Sequence, residues 1–388
     1  MPKAARTPCS CSLPPLMLEA PSLFVTLLAF VAVLAPLVFI HELGHYWVAK
    51  RCGIRAESFS VGIGREIAGW TDKAGTRWKV GWLPLGGYVR FAGDEDAASA
   101  PNVSGAGPKD GFLAASLGRR ALTVLAGPVA NLLLALLILS GFALAYGKPA
   151  SEPVIGTVMA GSAAASAGLL PGDRILSIDG ERIRHYTDIA PRVAYRPGEP
   201  VRVEFSRGDV VQRVTIVPDR AAMGDRFGNR YERGLLGIRS GKVRVQSVSL
   251  LEAPVVAVQQ SWLIVRQTGA VIGQMITGRR SLSELGGPVA IAKSSGEQAT
   301  LGWRALLLFA ALISLNLAVM NLLPLPMLDG GHLLFLGIEA LQRRPVSLAT
   351  QAVAYRVGFA LILALTVAVT FNDLGEVGLW RRLSGLIG

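Results

Sequence analysis

The sequence predicts an α-helical polytopic membrane protein of about four spans, with a small β domain between the second and third. Three observations carry this. Half of the 388 residues are hydrophobic and only 17% are charged, against about 25% charged in an ordinary soluble domain. Four stretches are long and apolar enough to cross a bilayer. The longest segment between them alternates apolar and polar residues and is punctuated by Gly, Pro and Asp, which is the pattern of short strands and turns.

Residues 1–21 read as an aperiodic leader rich in Pro and Ser, and Met17 is a second candidate start. The three cysteines, Cys9, Cys11 and Cys52, make no disulfide framework. Cys9 and Cys11 lack a second pair to complete a metal site. The first span covers 22–46. Its uncharged run from Ala20 to Ile40 is too long for the apolar core of a cleaved signal peptide. A loop follows over 47–120, and the second span over 121–147 carries no charge. The third span falls within 304–342. It is uncharged from Ala305 to Leu328 and interrupted by Pro324 and Pro326. The fourth, 349–371, reaches the necessary length if Arg356 snorkels to the interface.

The net charge of +12 fits basic cytoplasmic loops and anionic headgroups. No basic run with interleaved aromatics occurs, so nucleic acid is not an expected partner. The loop from Tyr46 to Arg120 holds more Lys and Arg than Asp and Glu, and Arg343, Arg344 and Arg356 lie in an acid-free stretch. Both basic loops are therefore expected in the cytoplasm and both termini outside. The long segment after the second span is then extracytoplasmic.

Within that segment, Val154–Met159, Arg174–Ile178, Val201–Phe205 and Val210–Val217 read as strands. Asp179-Gly180 and Arg207-Gly208-Asp209 read as turns. The run AGLLPGDRILSIDG (167–180) resembles a PDZ domain of the bacterial protease type, expected over 150–220. Residues 221–303 read as a linker, with a surface amphipathic helix over Glu252–Thr277 and a turn at Leu285-Gly286-Gly287-Pro288.

The chemistry concentrates at His41-Glu42-Leu43-Gly44-His45, at the inner end of the first span. Residues four apart share a helix face, so both imidazoles point at one spot. This is the spacing by which two histidines hold one zinc with a glutamate beside them. A catalytic zinc needs a third protein ligand. His185 falls on the wrong side of the membrane. The third span breaks at NLLPLPMLDGGH (321–332), and irregular backbone at membrane depth is tolerated where it lines a polar cavity. Asp329 lies there at matching depth, as does its rival His332; an acid at that depth is costly and therefore a functional candidate. Asn316 and Asn321 on the same span need polar partners, either substrate backbone beside the metal or a neighbouring helix. Asn131 reads as packing or support for the site.

These residues together resemble the site-2 protease family of intramembrane zinc metalloproteases, most closely the bacterial regulator of sigma-E protease. The resemblance rests on HELGH, LPLGGYVRFAGDED (83–96), AGPVANLLLA (126–135), the PDZ segment, NLLPLPMLDGGH and YRVGFALILALTVAVTFND (355–373). It implies a fold class: an α-helical polytopic membrane protein with about four transmembrane helices, a cytoplasmic-side membrane-reentrant β-hairpin and one extracytoplasmic PDZ-like β domain. The hairpin is expected within Phe59–Phe91, where Trp70, Trp78 and Trp82 suit a membrane interface. Further implications are Zn2+ as cofactor, Asp329 as the third ligand beside His41 and His45, Glu42 as the catalytic proton carrier, and substrate contacts from Asn316, Asn321, Pro324 and Pro326. The implied setting is a bacterial inner membrane, with the site near the cytoplasmic side and the PDZ-like domain in the periplasm. The implied partners are membrane lipids, single-pass transmembrane substrates such as a trimmed anti-sigma factor or signal-peptide remnants, and an upstream site-1 protease. The chain departs from that branch in showing one PDZ segment rather than two. Two other function classes fit weaker subsets of the signals: an inactive membrane-anchored scaffold, and a zinc transporter.

Overall fold

The computed structural model describes residues 21–93, 108–150, 152–224, 230–241, 244–277 and 286–376. The leader with Cys9, Cys11 and Met17, the Asp94–Asp96 end of one motif, and Leu285 lie outside the described residues.

Helix α1 (Leu23–Arg51) opens on Ser22, whose hydroxyl accepts from the Val25 N–H, and closes on Lys50 and Arg51. Both ends suit the helix dipole and its orphan amides. Strands β1 (Ala56–Thr71) and β2 (Arg77–Phe91) follow. They are joined by a turn in which the Asp72 carboxylate accepts from the Ala74 and Thr76 N–H groups. Asp72 also accepts from the Tyr46 hydroxyl and the Trp78 indole, which ties the hairpin to α1. These bonds hold its carboxyl below the usual carboxylate range against the opposing effect of burial. Each long strand doubles back, so Phe59 lies between Val89 and Trp78, and Ser60 between Tyr88 and Lys79. Phe59 stacks on Trp78 with ring centroids 4.4 Å apart. The far end presents Ile63, Ile67 and Trp82 outward, an apolar tip, while the exposed Trp70 stacks on Trp78 nearer the Asp72 turn.

Helix α2 (Leu117–Tyr146) is 30 residues long, about 45 Å at 1.5 Å per residue. The β region begins with β3 (Lys148–Ala150), β4 (Ile155–Val158) and the short α3 (Ala163–Ser166). It continues through β5 (Arg174–Ile178), β6 (Glu181–Arg182), α4 (Ile189–Ala194), β7 (Val201–Arg207) and β8 (Val210–Ile216). These four strands form one sheet in the order β6-β5-β7-β8. Its core includes Ile155, Leu169, Ile175, Val201, Val203 and Ile216. A hairpin of β9 (Asp219–Gly224) and β10 (Arg230–Leu235) comes next, then β11 (Ile238–Ser240) and β12 (Arg244–Gln246). Strand β11 pairs with β4, and β12 with β3. The chain thus returns to the start of the β region well beyond the last strand that alternation reveals. Three-residue strands are too short to display a period of two.

Helix α5 (Ala253–Ile276) packs along α2 through Ala253, Val256 and Ala257. Helix α6 (Pro288–Thr300) lies on α1, where Gly296 meets Thr26. Helix α7 (Trp303–Asn321) ends at the double-proline break, and α8 (Asp329–Gln342) begins after it. Helix α9 (Leu348–Glu376) closes the bundle, and its Asp373 accepts from the Gly287 and Ala290 N–H groups at the start of α6.

Four of these helices are long and apolar enough to cross a membrane: α1, α2, α7 and residues Ala349–Phe371 of α9, with mean hydropathy between 1.9 and 2.9. Large apolar side chains such as Phe24, Leu137 and Leu361 stand exposed along them, as a lipid-facing surface requires. Rings and cations meet at both ends. Arg51 lies over Trp47 and Lys50 over Tyr46 at one end, and Arg304 lies over Tyr146 at the other. This is the interfacial pattern of membrane helices.

Candidate metal centre

The two histidines of α1 and the first residue of α8 converge on one point. The His41 and His45 Nε2 atoms are 3.2 Å apart. The His41 Nε2 lies 3.2 Å from one Asp329 carboxylate oxygen, and the His45 Nε2 lies 3.4 Å from the other. A tetrahedral zinc with bonds of about 2.0–2.1 Å sets its ligand atoms about 3.3 Å apart. The triangle therefore has the edges of a zinc coordination face.

The donor set supports the same reading. The His45 Nδ1 is 2.9 Å from the Thr123 carbonyl. A carbonyl only accepts, so Nδ1 carries the proton and the Nε2 lone pair faces inward. The Asp329 Oδ2 is buried and receives no hydrogen bond. An acceptor-only oxygen facing an imidazole lone pair is stable only with a cation between them. Gly127 supplies the room: a Cβ there would lie 2.2 Å from the His45 Nε2 and 2.8 Å from the His41 Cε1. Gly44 similarly lets α1 touch the α2 backbone at Ala126. Any side chain at Gly127 would fill the space the metal needs.

Outer contacts orient the ligands. The fully buried Asn131 places its amide 3.4 Å from the His41 Nδ1, and its Oδ1 has no partner. A half-turn of the amide brings Oδ1 to the imidazole and lets Nδ1–H donate to it. The Ser314 hydroxyl of α7 donates to the Asn131 carbonyl at 2.8 Å and fixes this part of α2.

Glu42, buried beside the histidines, lines the same cavity of about 300 Å³, together with Gly86 to Val89 of β2, Asn321, Met327 and His332. Met327 adopts φ 81°, a region that side chains of its length rarely enter. That backbone turn lies two residues before Asp329. His332 does not join the three-ligand cluster. Its Nδ1 is 2.8 Å from the Tyr355 hydroxyl of α9.

The four residues expected from sequence to contact substrate separate. The Asn321 amide lies 3.4 Å from the His41 Nε2, at the metal position. Asn316 instead accepts from the Thr268 hydroxyl of α5 at 3.4 Å. Pro324 and Pro326 shape the break without lining the cavity, and Pro326 packs against Gly358 of α9. Sequence reasoning missed Thr123 and Gly127, whose contributions are a carbonyl and an absence of side chain.

The family model described as peptidase family M50 matches residues 29–365. The chain belongs to this family. A "Putative zinc metalloprotease" of Agrobacterium fabrum is 44% identical over 358 residues, covering 90% of this chain and 95% of the relative. "Metalloprotease MmpA" of Caulobacter vibrioides is 34% identical over 392 residues, covering 93% and 98%. Among solved structures, a PDZ domain of an SdrC-like protein from Listeria monocytogenes matches 22% of this chain and 84% of its own length, at 22% identity and a TM-score of 0.18. The resemblance read from HELGH and LDGGH is thereby borne out. The M50 chain is a membrane-embedded zinc metalloendopeptidase.

Proposed function

We propose that this M50 protease cuts inside the bilayer, hydrolysing transmembrane segments of single-pass membrane proteins. One observation carries the reading. Two apolar helices, α1 and α8, bring three zinc-type ligands to ligand-ligand distances of 3.2–3.4 Å with a buried glutamate alongside. The histidines precede Arg51 by six and ten residues, about 9 and 15 Å along α1. A peptide bond reaching them lies inside the apolar layer, near the end flanked by Lys50 and Arg51. By the charge asymmetry of the loops, that end is cytoplasmic.

His41, His45 and Asp329 hold the zinc in this reading. Bound there, zinc supplies a Lewis acid for the scissile carbonyl and lowers the pKa of water to about 7. Glu42 takes the proton from the attacking water and passes it to the leaving nitrogen. Thr123 and Asn131 keep both imidazoles aimed, and Asn321 holds substrate backbone beside the metal. A membrane helix hides its amides, so it must unwind first. The Gly86–Val89 stretch of β2 lines the cavity and pairs with β1 on one side only. It can accept the unwound segment by strand addition, with the apolar hairpin tip dipping into the membrane.

The substrate class is a single-pass protein already trimmed outside by an upstream protease, such as an anti-sigma factor, or a signal-peptide remnant. The PDZ-like β domain then lies in the periplasm of a bacterial inner membrane and selects trimmed substrates. Replacing Glu42 by Gln tests the assignment: cleavage of a transmembrane peptide in detergent falls about 10²–10⁴-fold, with bound zinc unchanged. A variant that still cuts at an appreciable rate removes Glu42 from the mechanism.

A further inference from the structure

A bidentate ion pair lies outside the cavity and outside every contact assigned above. Arg120 of α2 donates through Nη1 and Nη2 to the two carboxylate oxygens of Glu339 on α8, at 3.1 and 2.5 Å. The Arg120 and Glu339 side chains are only 12% and 18% exposed. The Arg120 Nε–H is buried without a partner, so the guanidinium commits its fork alone. A fork fixes orientation as well as distance.

Helix α8 needs such a constraint. It follows the double-proline break and the positive-φ turn at Met327, and it ends at Arg343 in the left-handed region. Neither end continues into a helix that could fix its position along its axis. Leu336, one turn before Glu339, packs in a cluster with Val124, but apolar packing tolerates sliding better than a fork does. Arg120 lies one helical turn from Thr123, the residue whose carbonyl orients His45. Asp329 starts the same helix that carries Glu339. The ion pair therefore joins the orienter of one ligand to the helix bearing another. A shift of α8 along its axis moves Asp329 by the same amount. Zinc sites tolerate about 0.2 Å.

We propose that Arg120 and Glu339 are positioning residues of the metal centre: their clamp sets where the Asp329 carboxylate meets the two imidazoles. The proposal rests on the reading of His41, His45 and Asp329 as zinc ligands. The test uses the full chain in detergent, with zinc affinity measured by chelator competition and ligand geometry by the visible spectrum of the Co2+-substituted protein. Arg120→Lys keeps the charge and loses the fork, and Glu339→Gln keeps the shape and loses the charge. Each is expected to weaken zinc binding about tenfold, within the range for groups that orient ligands, and to alter the Co2+ bands. Exchanging the pair (Arg120→Glu with Glu339→Arg) is expected to recover most of the affinity. Unchanged affinity and spectra in both single variants overturn the clamp. So does a loss of zinc binding that tracks loss of the folded, monodisperse protein in all three. Asp329→Asn is the control: if it binds zinc as tightly as the unaltered protein, the ligand assignment itself is wrong.

Discussion

Two aspartates, one fully and one partly buried, show what separates a structural acid from a candidate ligand. Asp173, in the β domain, is saturated. Arg207 donates to both its oxygens at 2.8 Å, and the Leu170 N–H adds a third bond at 2.8 Å. Asp329, in the helical bundle, faces two imidazole nitrogens and has a buried oxygen without a donor. Both acids follow a backbone turn with positive φ, at Gly172 before Asp173 and at Met327 before Asp329. Their burial differs, Asp173 being 1% exposed and the Asp329 side chain 17% exposed, but that alone does not say which holds a cation. The partners do: a donor-saturated carboxylate holds a fold, whereas one ringed by lone pairs holds a cation.

The sharpest way to break this comparison is to neutralise each acid in turn. Asp329→Asn is expected to lower zinc affinity at least about 100-fold, beyond the effect of losing an outer contact, and to abolish cleavage. Asp173→Asn is expected to leave zinc content intact and to lower the unfolding temperature of the β domain by several degrees. If Asp173→Asn also emptied the metal site, the two regions would not be independent.

A smaller effect separates the two asparagines of α7. Five residues along a helix is about 140° of rotation, so only one of them can face the metal. Asn321→Ala is expected to reduce cleavage about tenfold, the scale of a lost substrate hydrogen bond. Asn316→Ala, which releases Thr268, is expected to change it less than about threefold. Equal losses in kcat/KM would return Asn316 to the substrate path.

The smallest effect is in pH. The Arg207 hydrogen bonds hold the Asp173 carboxyl below the usual carboxylate range. The folded state thus binds this proton less readily than the unfolded chain. Its stabilisation is present above the unfolded pKa of about 3.9 and is lost as pH falls through the folded value. The gap in unfolding temperature between the unaltered chain and Asp173→Asn should be widest near neutrality and close below about pH 4. A gap independent of pH would mean that shape rather than charge is at work.

Side chains in periodic patterns were readable in advance. His41 and His45 declare their shared face by spacing, and the depth of Asp329 follows from counting along an uncharged span. The four apolar helices and strands β5, β7 and β8 announce themselves by length or alternation. What escaped the sequence is carried by backbone or by polar variety. The Thr123 carbonyl and the space at Gly127 have no letter pattern that marks them. Helix α6 is short and mixes Lys293 and Glu297 among its small residues, so no apolar stripe stands out. Strands β11 and β12 are fixed by partners far back along the chain. The pairing of Asn316 with α5 rather than with the cavity required knowing where α5 lies.

The level of the histidines on α1 has a further result for the products. In the proposed reaction the cutting point is off-centre, so a severed span would yield unequal halves. The piece on the Arg51 side keeps only a short greasy stub, which water can accommodate, and it drifts free. Its counterpart retains most of the membrane anchor and stays behind. Hydrolysis at this level, as proposed, would act as a one-way release of whatever the substrate carries on the Arg51 face.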